Sequence, residues 1–347
     1  MFKPLPPIEG FLVESKEGLI FDVKGITHPP QFITAFVRYI PSNLLPQLDP
    51  RLTNISLRNA SSQTYLKVYS LKDRYDLLSK YFPAYLKFDE LKDLLIQGIP
   101  YSRLKMVYDP RRYFIRQKNQ NDPLQTAAKR LIEALESLGI RDVGVTGSLL
   151  VNLHTHDSDL DLVVYGLQNG LKTWHGMNDL FALDFLERYN SKSIQRLYNF
   201  RVKDTMMSLE DFTKIELKKR LQGTLFLEND QKIDFYIRLV KYPAEHLSTI
   251  QKIVAREEVT ISATISDSKE AIFTPCKYLL KNVQVIKSLS PAPIIPSEII
   301  SYRGRFCECA LKNDIIEAKG TLEYTSNTKT KLILGSQKDH YLKQINY

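Results

Sequence analysis

The chain has 347 residues, of which 43% are hydrophobic and 25% are charged. This composition is typical of a folded globular protein and excludes a disordered or fibrous chain, and the length predicts two or three domains. Lys and Arg outnumber Asp and Glu by 48 to 39, a net charge of +9 that favours a polyanionic partner. Surfaces adapted to heat are also rich in lysine and glutamate, so adaptation to temperature is an alternative reason for part of this charge.

The location of the protein follows from segments that the sequence lacks. No run reaches the roughly 18 apolar residues that a membrane helix needs, and "MFKPLPPIEG" lacks the basic start and apolar core of a signal peptide. We therefore expect a cytoplasmic protein with no membrane partner. Cys276, Cys307 and Cys309 are too few for a disulfide framework, and "CEC" lacks the spacing of a zinc site. We predict buried thiols.

Residues 1–120 are predicted to form an α+β domain. Strands are expected in "GFLVESKEGLIFDVKGI" and "QFITAFVRYI". A helix capped by Ser70 is expected in "SLKDRYDLLSKYF", and a second helix in "FDELKDLLIQGI". The basic, turn-rich segment "YDPRRYFIRQKNQNDP" predicts a linker, with a domain boundary near residue 120.

Residues 121–245 are predicted to alternate between helices and strands. Asp122 and Pro123 predict the start of a helix whose apolar residues keep helical spacing until Gly139. A strand in "RDVGVT", a turn and short helix in "GSLLVNLHT" and a strand in "SDLDLVVYG" follow. Helices are then expected in "NDLFALDFLERYN" and "SLEDFTKIELKKRL", and a hairpin in "GTLFL" and "KIDFYIRLV".

Residues 246–347 are predicted to form a small β-rich domain. The segments that predict its strands are "VTISATI", "EAIFTPCKYLLKNVQVI", "PAPIIP", "EIISYRGRFCECAL", "IIEAKGTLEYT" and "TKLILGS".

Two aspartates stand in the middle strand of this pattern. Asp159 and Asp161 alternate with leucines, so in a strand both carboxylates point to one face while the leucines point to the other. Unpaired, the two like charges repel each other, and a divalent cation removes that cost. Magnesium is the expected ion because it prefers oxygen ligands and takes carboxylates together with substrate phosphates.

The hairpin predicts further polar groups for the same site. Alternation in "QKIDFYIRLV" places Asp234 and Arg238 on the polar face, opposite the apolar residues. Asp234 is then a third ligand of a two-ion site or the base for an attacking hydroxyl, and Arg238 a phosphate contact. Gly147 and Ser148 are expected to hold a phosphate through the turn that they open.

These motifs in this order resemble the DNA polymerase beta superfamily of nucleotidyltransferases. The pattern is Gly147-Ser148, ten residues, Asp159-Leu160-Asp161, and later a hydrophobic-Asp-hydrophobic at Asp234. Within that superfamily, "EGLIFDVKGITHPP" and "YDPRR" are similar to archaeal predicted nucleotidyltransferases. The resemblance implies a palm-like mixed sheet with helices, lying between the N-terminal α+β domain and the C-terminal β-rich domain. It also implies Mg²⁺ as two ions, with Mn²⁺ as the alternative, held by the three aspartates.

The implied reaction transfers a nucleoside monophosphate from an NTP, such as ATP, to a hydroxyl and releases pyrophosphate. The acceptor stays open between an RNA end, a protein hydroxyl and a small molecule, and the positive charge favours nucleic acid. The sequence departs from the superfamily's common pattern at His154 and in lacking a long helical domain after the palm. The alternative function is a palm-scaffold binding protein without catalysis, since fold does not guarantee activity.

Two weaker motifs carry alternatives. "HTHD", residues 154–157, fits either a transition-metal site or a surface loop, and we favour the loop. The basic runs at residues 111–112 and 218–220 fit either phosphate contacts or solvated surface.

Overall fold

The computed structural model describes residues 5–45, 55–60, 63–116, 122–202, 206–228, 231–246, 251–290, 294–326 and 330–345. These residues form sheets of eight, five and six strands, in chain order, with most helices beside the second sheet. The mixed α+β class is thereby confirmed. The domain boundaries near residues 120 and 245 remain predictions.

In the described residues, the first sheet is built from antiparallel pairs, in the order β4-β5-β3-β2-β1-β8, with β7 joining β3 to β6. Its strands are β1 (Leu12–Ser15), β2 (Ile20–Val23), β3 (Phe32–Pro41), β4 (Ile55–Ala60), β5 (Gln63–Val68), β6 (Leu86–Asp89), β7 (Leu94–Pro100) and β8 (Leu104–Tyr108). Helix α1 (Leu71–Tyr81) begins where predicted, because the Ser70 hydroxyl accepts a hydrogen bond from the Asp73 amide.

The helix predicted in "FDELKDLLIQGI" is wrong, because this segment forms β6, a turn and β7. Asp93 adopts a left-handed conformation with φ of 47°, which ends any helix there. A Cβ at Gly98 would lie 2.0 Å from the Ile33 carbonyl oxygen, so this position is packed against the backbone of β3. Pairing with β3 therefore overrides the local helical spacing of the leucines.

The segment predicted as a linker is structured in its first half. Helix α2 (Tyr113–Arg116) follows a single 3₁₀ turn in which Pro110 and Arg111 are buried. A Cβ at Gly144 would lie 2.5 Å from the Pro110 carbonyl carbon, so this turn packs directly on the second sheet. Residues 117–121 of the predicted linker lie outside the described residues.

The second sheet is mixed and has the order β11-β12-β13-β10-β9. Its strands are β9 (Val143–Val145), β10 (Leu160–Tyr165), β11 (Leu186–Glu187), β12 (Gln222–Phe226) and β13 (Lys232–Val240). β10 and β13 run parallel, while β9 and β12 pair antiparallel with them. The predicted strand, short helix and strand are confirmed, as is the predicted hairpin, whose residues 229–230 lie outside the described part.

Five helices accompany this sheet in the described part of the chain: α3 (Pro123–Ser137), α4 (Gly147–Leu150), α5 (Leu167–Leu180), α6 (Ser191–Arg201) and α7 (Leu209–Glu216). The predictions for α3 and α7 are confirmed, with caps at Asp122 and Ser208. The helix predicted in "NDLFALDFLERYN" is wrong, because α5 ends at Leu180 and α6 begins after this segment. Gly170 and Gly176 lower the helix propensity of α5, so the sequence did not predict this helix. In the structure each of these glycines packs against a large side chain from outside the helix.

The third sheet closes on itself, because β14 pairs with both β15 and β17. Its strands are β14 (Ile253–Asp267), β15 (Cys276–Lys287), β16 (Glu298–Ser301), β17 (Ile315–Thr325), β18 (Thr330–Leu334) and β19 (Tyr341–Gln344). The predicted β-rich character is confirmed, although residues 294–296 of "PAPIIP" form no strand and residues 291–293 lie outside the described part. All three cysteines are free and buried in its core, as predicted.

Strand β10 contributes to two cores, one on each face of the second sheet. Leu160 and Leu162 pack on the helical side with α3, whereas Val163 and Tyr165 pack into the core of the first sheet. The first sheet therefore covers only the C-terminal half of one face of β10. The uncovered half of that face carries the aspartates. No helix in the described part of the chain is both long and apolar enough to cross a membrane.

Candidate active site

The predicted aspartates lie at the same end of two neighbouring parallel strands. Leu160 pairs with Phe235 and Asp161 pairs with Tyr236. Asp159 and Asp234 each stand one residue earlier on their strands, so they occupy neighbouring positions on the polar face. The leucines of β10 and the apolar residues of β13 are buried on the opposite face, as the alternation predicted.

Asp159 and Asp161 have no direct partner in the described part of the chain. In the described part of the chain, no hydrogen bond and no ion pair reaches either carboxylate. Burial and the charge of Asp159 raise the pKa of Asp161 to about 7, against the weaker effects of Arg238 and two cations of the first sheet. Two unpaired carboxylates with this electrostatic cost are the donor set that a hard divalent cation relieves.

Asp234 has polar partners and is accessible. It accepts a hydrogen bond of 2.9 Å from the Thr224 hydroxyl on β12. The Arg196 guanidinium on α6 lies 3.8 Å from its other oxygen, and the Asp234 side chain is 42% exposed. This geometry holds the carboxylate in a fixed orientation while leaving it open to a substrate.

The structure brings the three aspartates to one edge of the sheet but does not gather them into a three-ligand cluster. Among the described residues, no group of three or more His, Cys, Asp or Glu side chains is placed to hold a metal ion. The chain's own ligands for an ion are therefore the pair Asp159 and Asp161, completed by oxygens from substrate or water. The predicted two-ion site with Asp234 as a third ligand remains a prediction.

Gly147 and Ser148 have surroundings other than those that we expected. Gly147 has a φ of 69°, and a Cβ there would lie 2.4 Å from Oδ2 of Asp161. The glycine therefore makes room for the Asp161 carboxylate. Ser148 is buried, and neither residue lines the cleft described below. Their phosphate-binding role remains a prediction.

Arg238 lies on the predicted face of β13, two positions beyond Tyr236. Its guanidinium bonds to the buried carboxylate of Glu9, which Lys24 also reaches at 3.1 Å. Its Nε is buried and has no hydrogen-bond partner. A phosphate that binds Arg238, as the sequence predicted, therefore has to compete with or join Glu9.

A large cleft opens over the three aspartates. Its volume is about 2970 Å³, and residues of all three sheets line it. Basic side chains outnumber acidic ones along its walls. Arg38, Arg58 and Lys67 line it from the first sheet, close enough for Arg38 and Lys67 to lower the pKa of Asp161.

These three cations were not among the site residues predicted from the sequence motifs. One local signal was present, because Arg38 alternates with buried residues in β3 and so has to point away from the core of the first sheet. The proximity of Arg58 and Lys67 depends on the pairing of β4 with β5, which the sequence does not show.

Three side chains of the two basic runs make contacts within the protein. Arg111 is buried against Asp109 at 2.8 Å. Lys219 is buried against Glu216 at 2.7 Å, and Arg220 stacks on Trp174 at 4.0 Å. These three side chains are therefore not solvated surface, and a phosphate role for them remains a prediction.

The "HTHD" segment is the surface loop that we favoured. His154 bonds to Asp122, the cap of α3. His156 and Asp157 pair with each other at 3.0 Å and are 86% and 79% exposed. The transition-metal alternative finds no ligand cluster among the described residues.

Comparison with known proteins agrees with the geometry. Residues 128–266 match the family model of the nucleotidyltransferase domain, and this range contains all three aspartates. An uncharacterized protein of Methanocaldococcus jannaschii is 29% identical over 216 residues, which cover 61% of this chain and 63% of that protein's length. No solved structure matches. The resemblance that the motifs predicted is thereby confirmed.

Proposed function

We propose that the protein is a metal-dependent nucleotidyltransferase that moves a nucleoside monophosphate from an NTP to a hydroxyl and releases pyrophosphate. The observation that carries the proposal is the pair of Asp159 and Asp161, which line a basic cleft without a direct hydrogen-bond or ion-pair partner in the described part of the chain. The match of residues 128–266 to the nucleotidyltransferase domain supports it. The pair sits inside the matched range.

Asp159 and Asp161 would hold Mg²⁺, or Mn²⁺ in its place. The bound ion would supply charge neutralisation for the phosphates of the nucleotide. Asp234 would accept the proton of the attacking hydroxyl, and the hydrogen bond from Thr224, which orients its carboxylate, supports this role. The acceptor oxygen forms a bond to the α-phosphorus as the bond between the α- and β-phosphates breaks, and pyrophosphate leaves.

We propose a nucleic acid, most simply an RNA end, as the acceptor. Sites for small ligands occupy roughly 300 to 1,000 Å³, so a cleft of about 2970 Å³ holds considerably more than one nucleotide. Its excess of basic side chains suits a phosphate backbone. A protein hydroxyl or a small molecule is the competing acceptor, and the experiment below separates them.

The proposed activity is tested by incubating the protein with each α-labelled NTP and Mg²⁺, with RNA, cell protein or small metabolites as acceptors. Label should move to RNA, and a chelator should stop the transfer. Asp159→Asn and Asp161→Asn should abolish it, while Asp157→Asn, a matched change at an exposed carboxylate two residues before Asp159, should not.

Thermal unfolding provides a second readout that does not require the right acceptor. An NTP with Mg²⁺ should raise the melting temperature of the unaltered chain, and the double change at Asp159 and Asp161 should remove that shift. Absence of both transfer and the metal-dependent shift would leave a binding scaffold without catalysis.

A further inference from the structure

Three cations of the first sheet surround one tyrosine ring. The Arg38 guanidinium lies 5.6 Å and the Lys67 ammonium 5.1 Å from the centre of the Tyr69 ring. The Arg58 guanidinium donates to the Tyr69 hydroxyl at 3.3 Å, and Ser56 shares that hydroxyl at 3.2 Å. The ring therefore fixes all three positive charges in one place.

No direct ion pair offsets these charges in the described part of the chain, and Asp159 and Asp161 act on them only from a longer distance. Among the residues that the structure describes, no carboxylate lies within ion-pair distance of Arg38, Arg58 or Lys67. Lys67 is only 8% exposed, and Nε of Arg58 is buried without a hydrogen-bond partner. Burial and the charge of Arg38 lower the pKa of Lys67. A cluster of like charges held at this cost implies an anion that neutralises it.

The cluster faces the same cleft as the carboxylates. All three cations and Tyr69 line it together with Asp159 and Asp161. Asp159 in turn acts on Lys67, and Lys67 acts on Asp161, so the two groups are electrostatic neighbours across the cleft. An anion between the cluster and the aspartates would contact the positive charges of the first sheet. It would also contact the metal ion on the second sheet, once that ion is bound by the aspartates.

We propose that Arg38, Arg58 and Lys67 form a binding site for the polyphosphate tail of the nucleotide, which makes the first sheet part of the active site. This inference rests on the proposed nucleotidyl transfer. The polyphosphate is the most compact polyanion of that reaction, and three cations gathered around one ring fit it better than an extended backbone does. Gly147 and Ser148, which the sequence suggested for phosphate, do not reach this cleft.

The test measures binding of inorganic triphosphate by calorimetry in the presence of a chelator, so that no metal and no turnover are needed. Lys67→Met and Arg38→Gln should each weaken the binding about tenfold or more, since each removes a charge-assisted phosphate contact. Lys129→Met is the matched control, because Lys129 is 67% exposed on α3 and is not among the residues that line the cleft. The Lys129→Met variant should bind triphosphate with the same affinity as the unaltered chain.

Asp159→Asn separates this inference from the proposed function. It should abolish transfer and yet bind triphosphate as well as the unaltered chain or better, because it removes a nearby negative charge. Equal triphosphate affinity in Lys67→Met, Arg38→Gln and the control would overturn the assignment, even if transfer is observed. Loss of binding in the two cluster variants supports it, even if no acceptor is found.

A short RNA with free hydroxyl ends forms the second arm of the experiment. If the cluster variants lose affinity for the RNA and keep it for triphosphate, the cluster serves the acceptor backbone and the assignment is wrong. Circular dichroism and the melting temperature of each variant show whether it is folded. Because Arg38 is only partly buried, Arg38→Gln keeps the test decisive if Lys67→Met does not fold.

Discussion

Glu216 at the end of α7 and Asp161 in β10 are both carboxylates with little contact to solvent, and the protein treats them in opposite ways. Glu216, at the end of α7, receives Lys219 at 2.7 Å and the Gln222 amide at 2.6 Å. Burial by itself raises the pKa of Glu216, but the charges of Lys219 and Arg201 bring this pKa below its usual value. Asp161 receives no such partner in the described part of the chain, and its pKa rises to about 7.

The difference separates structure from function within one fold. A buried carboxylate that the chain satisfies with its own cations holds elements together, as Glu216 holds α7 to β12. A carboxylate that the chain leaves unsatisfied, beside a second one and open to a cleft, costs stability. We infer that this cost is kept because a ligand supplies the missing charge.

The largest expected effect is on catalysis. Asp161→Asn should lower nucleotidyl transfer about a thousandfold, which corresponds to about 4 kcal/mol in the activation barrier. The rate is measured with labelled NTP and Mg²⁺ in excess. The transfer rate of Asp157→Asn should stay within about twofold of that of the unaltered chain. A similar loss of rate in both variants would show that Asp161 has no special role in the reaction.

The next effect is on stability, at the satisfied carboxylate. Glu216→Gln leaves Lys219 buried without its counter-charge and should lower the free energy of unfolding by about 3 kcal/mol. Urea denaturation measures this value, with Glu133→Gln, at an exposed pair on α3, as the control. A loss below about 1 kcal/mol would mean that the Glu216 network is not structural.

The sequence could predict this site only where the pattern is local. The alternation of Asp159 and Asp161 with leucines, and of Asp234 with apolar neighbours, is contained in two short strands, so their shared face could be predicted. Their placement on adjacent strands could be predicted only from the family resemblance, since nothing local sets the pairing of β10 with β13.

What the sequence could not predict depends on contacts between distant segments. The cluster at Tyr69 forms because Lys67 pairs opposite Ser56 and Tyr39, which sets side chains from three strands around one ring. The erroneous helix at β6 and β7 has the same origin, because Gly98 is fixed by the backbone of β3. In both places long-range pairing overrides or completes a local pattern.

A smaller effect tests the room that Gly147 makes for Asp161. Gly147→Ala should destabilise the chain by about 2 kcal/mol, from the left-handed backbone and from the contact with the carboxylate. Gly139→Ala is the matched control, because Gly139 has a φ of 73° and open space where a Cβ would be. It should cost about 1 kcal/mol. Equal costs in the two variants would show that the Asp161 carboxylate does not need the glycine.

The last effect is the dependence of stability on pH in a chelator. The pKa of Asp161 is about 7 in the folded chain and ordinarily 3.8, so the folded state binds the extra proton between these values. The contribution of Asp161 to the free energy of unfolding therefore falls as the pH rises from about 3.8 to about 7, and it is constant above that range. Asp161→Asn should be no more stable than the unaltered chain at pH 4 and should become more stable than it as the pH rises to 8.

At Glu216 the contribution to stability is expected to change with pH in the opposite direction. Its pKa is lowered, so its contribution is present above the ordinary pKa and is lost as pH falls, and the deficit of Glu216→Gln should shrink in acid. Saturating Mg²⁺ at pH 8 should reduce the advantage of Asp161→Asn, because the ion neutralises the pair in the unaltered chain only. If Asp161→Asn gains nothing between pH 4 and 8, the pair is already neutralised within the chain, and the contrast with Glu216 disappears.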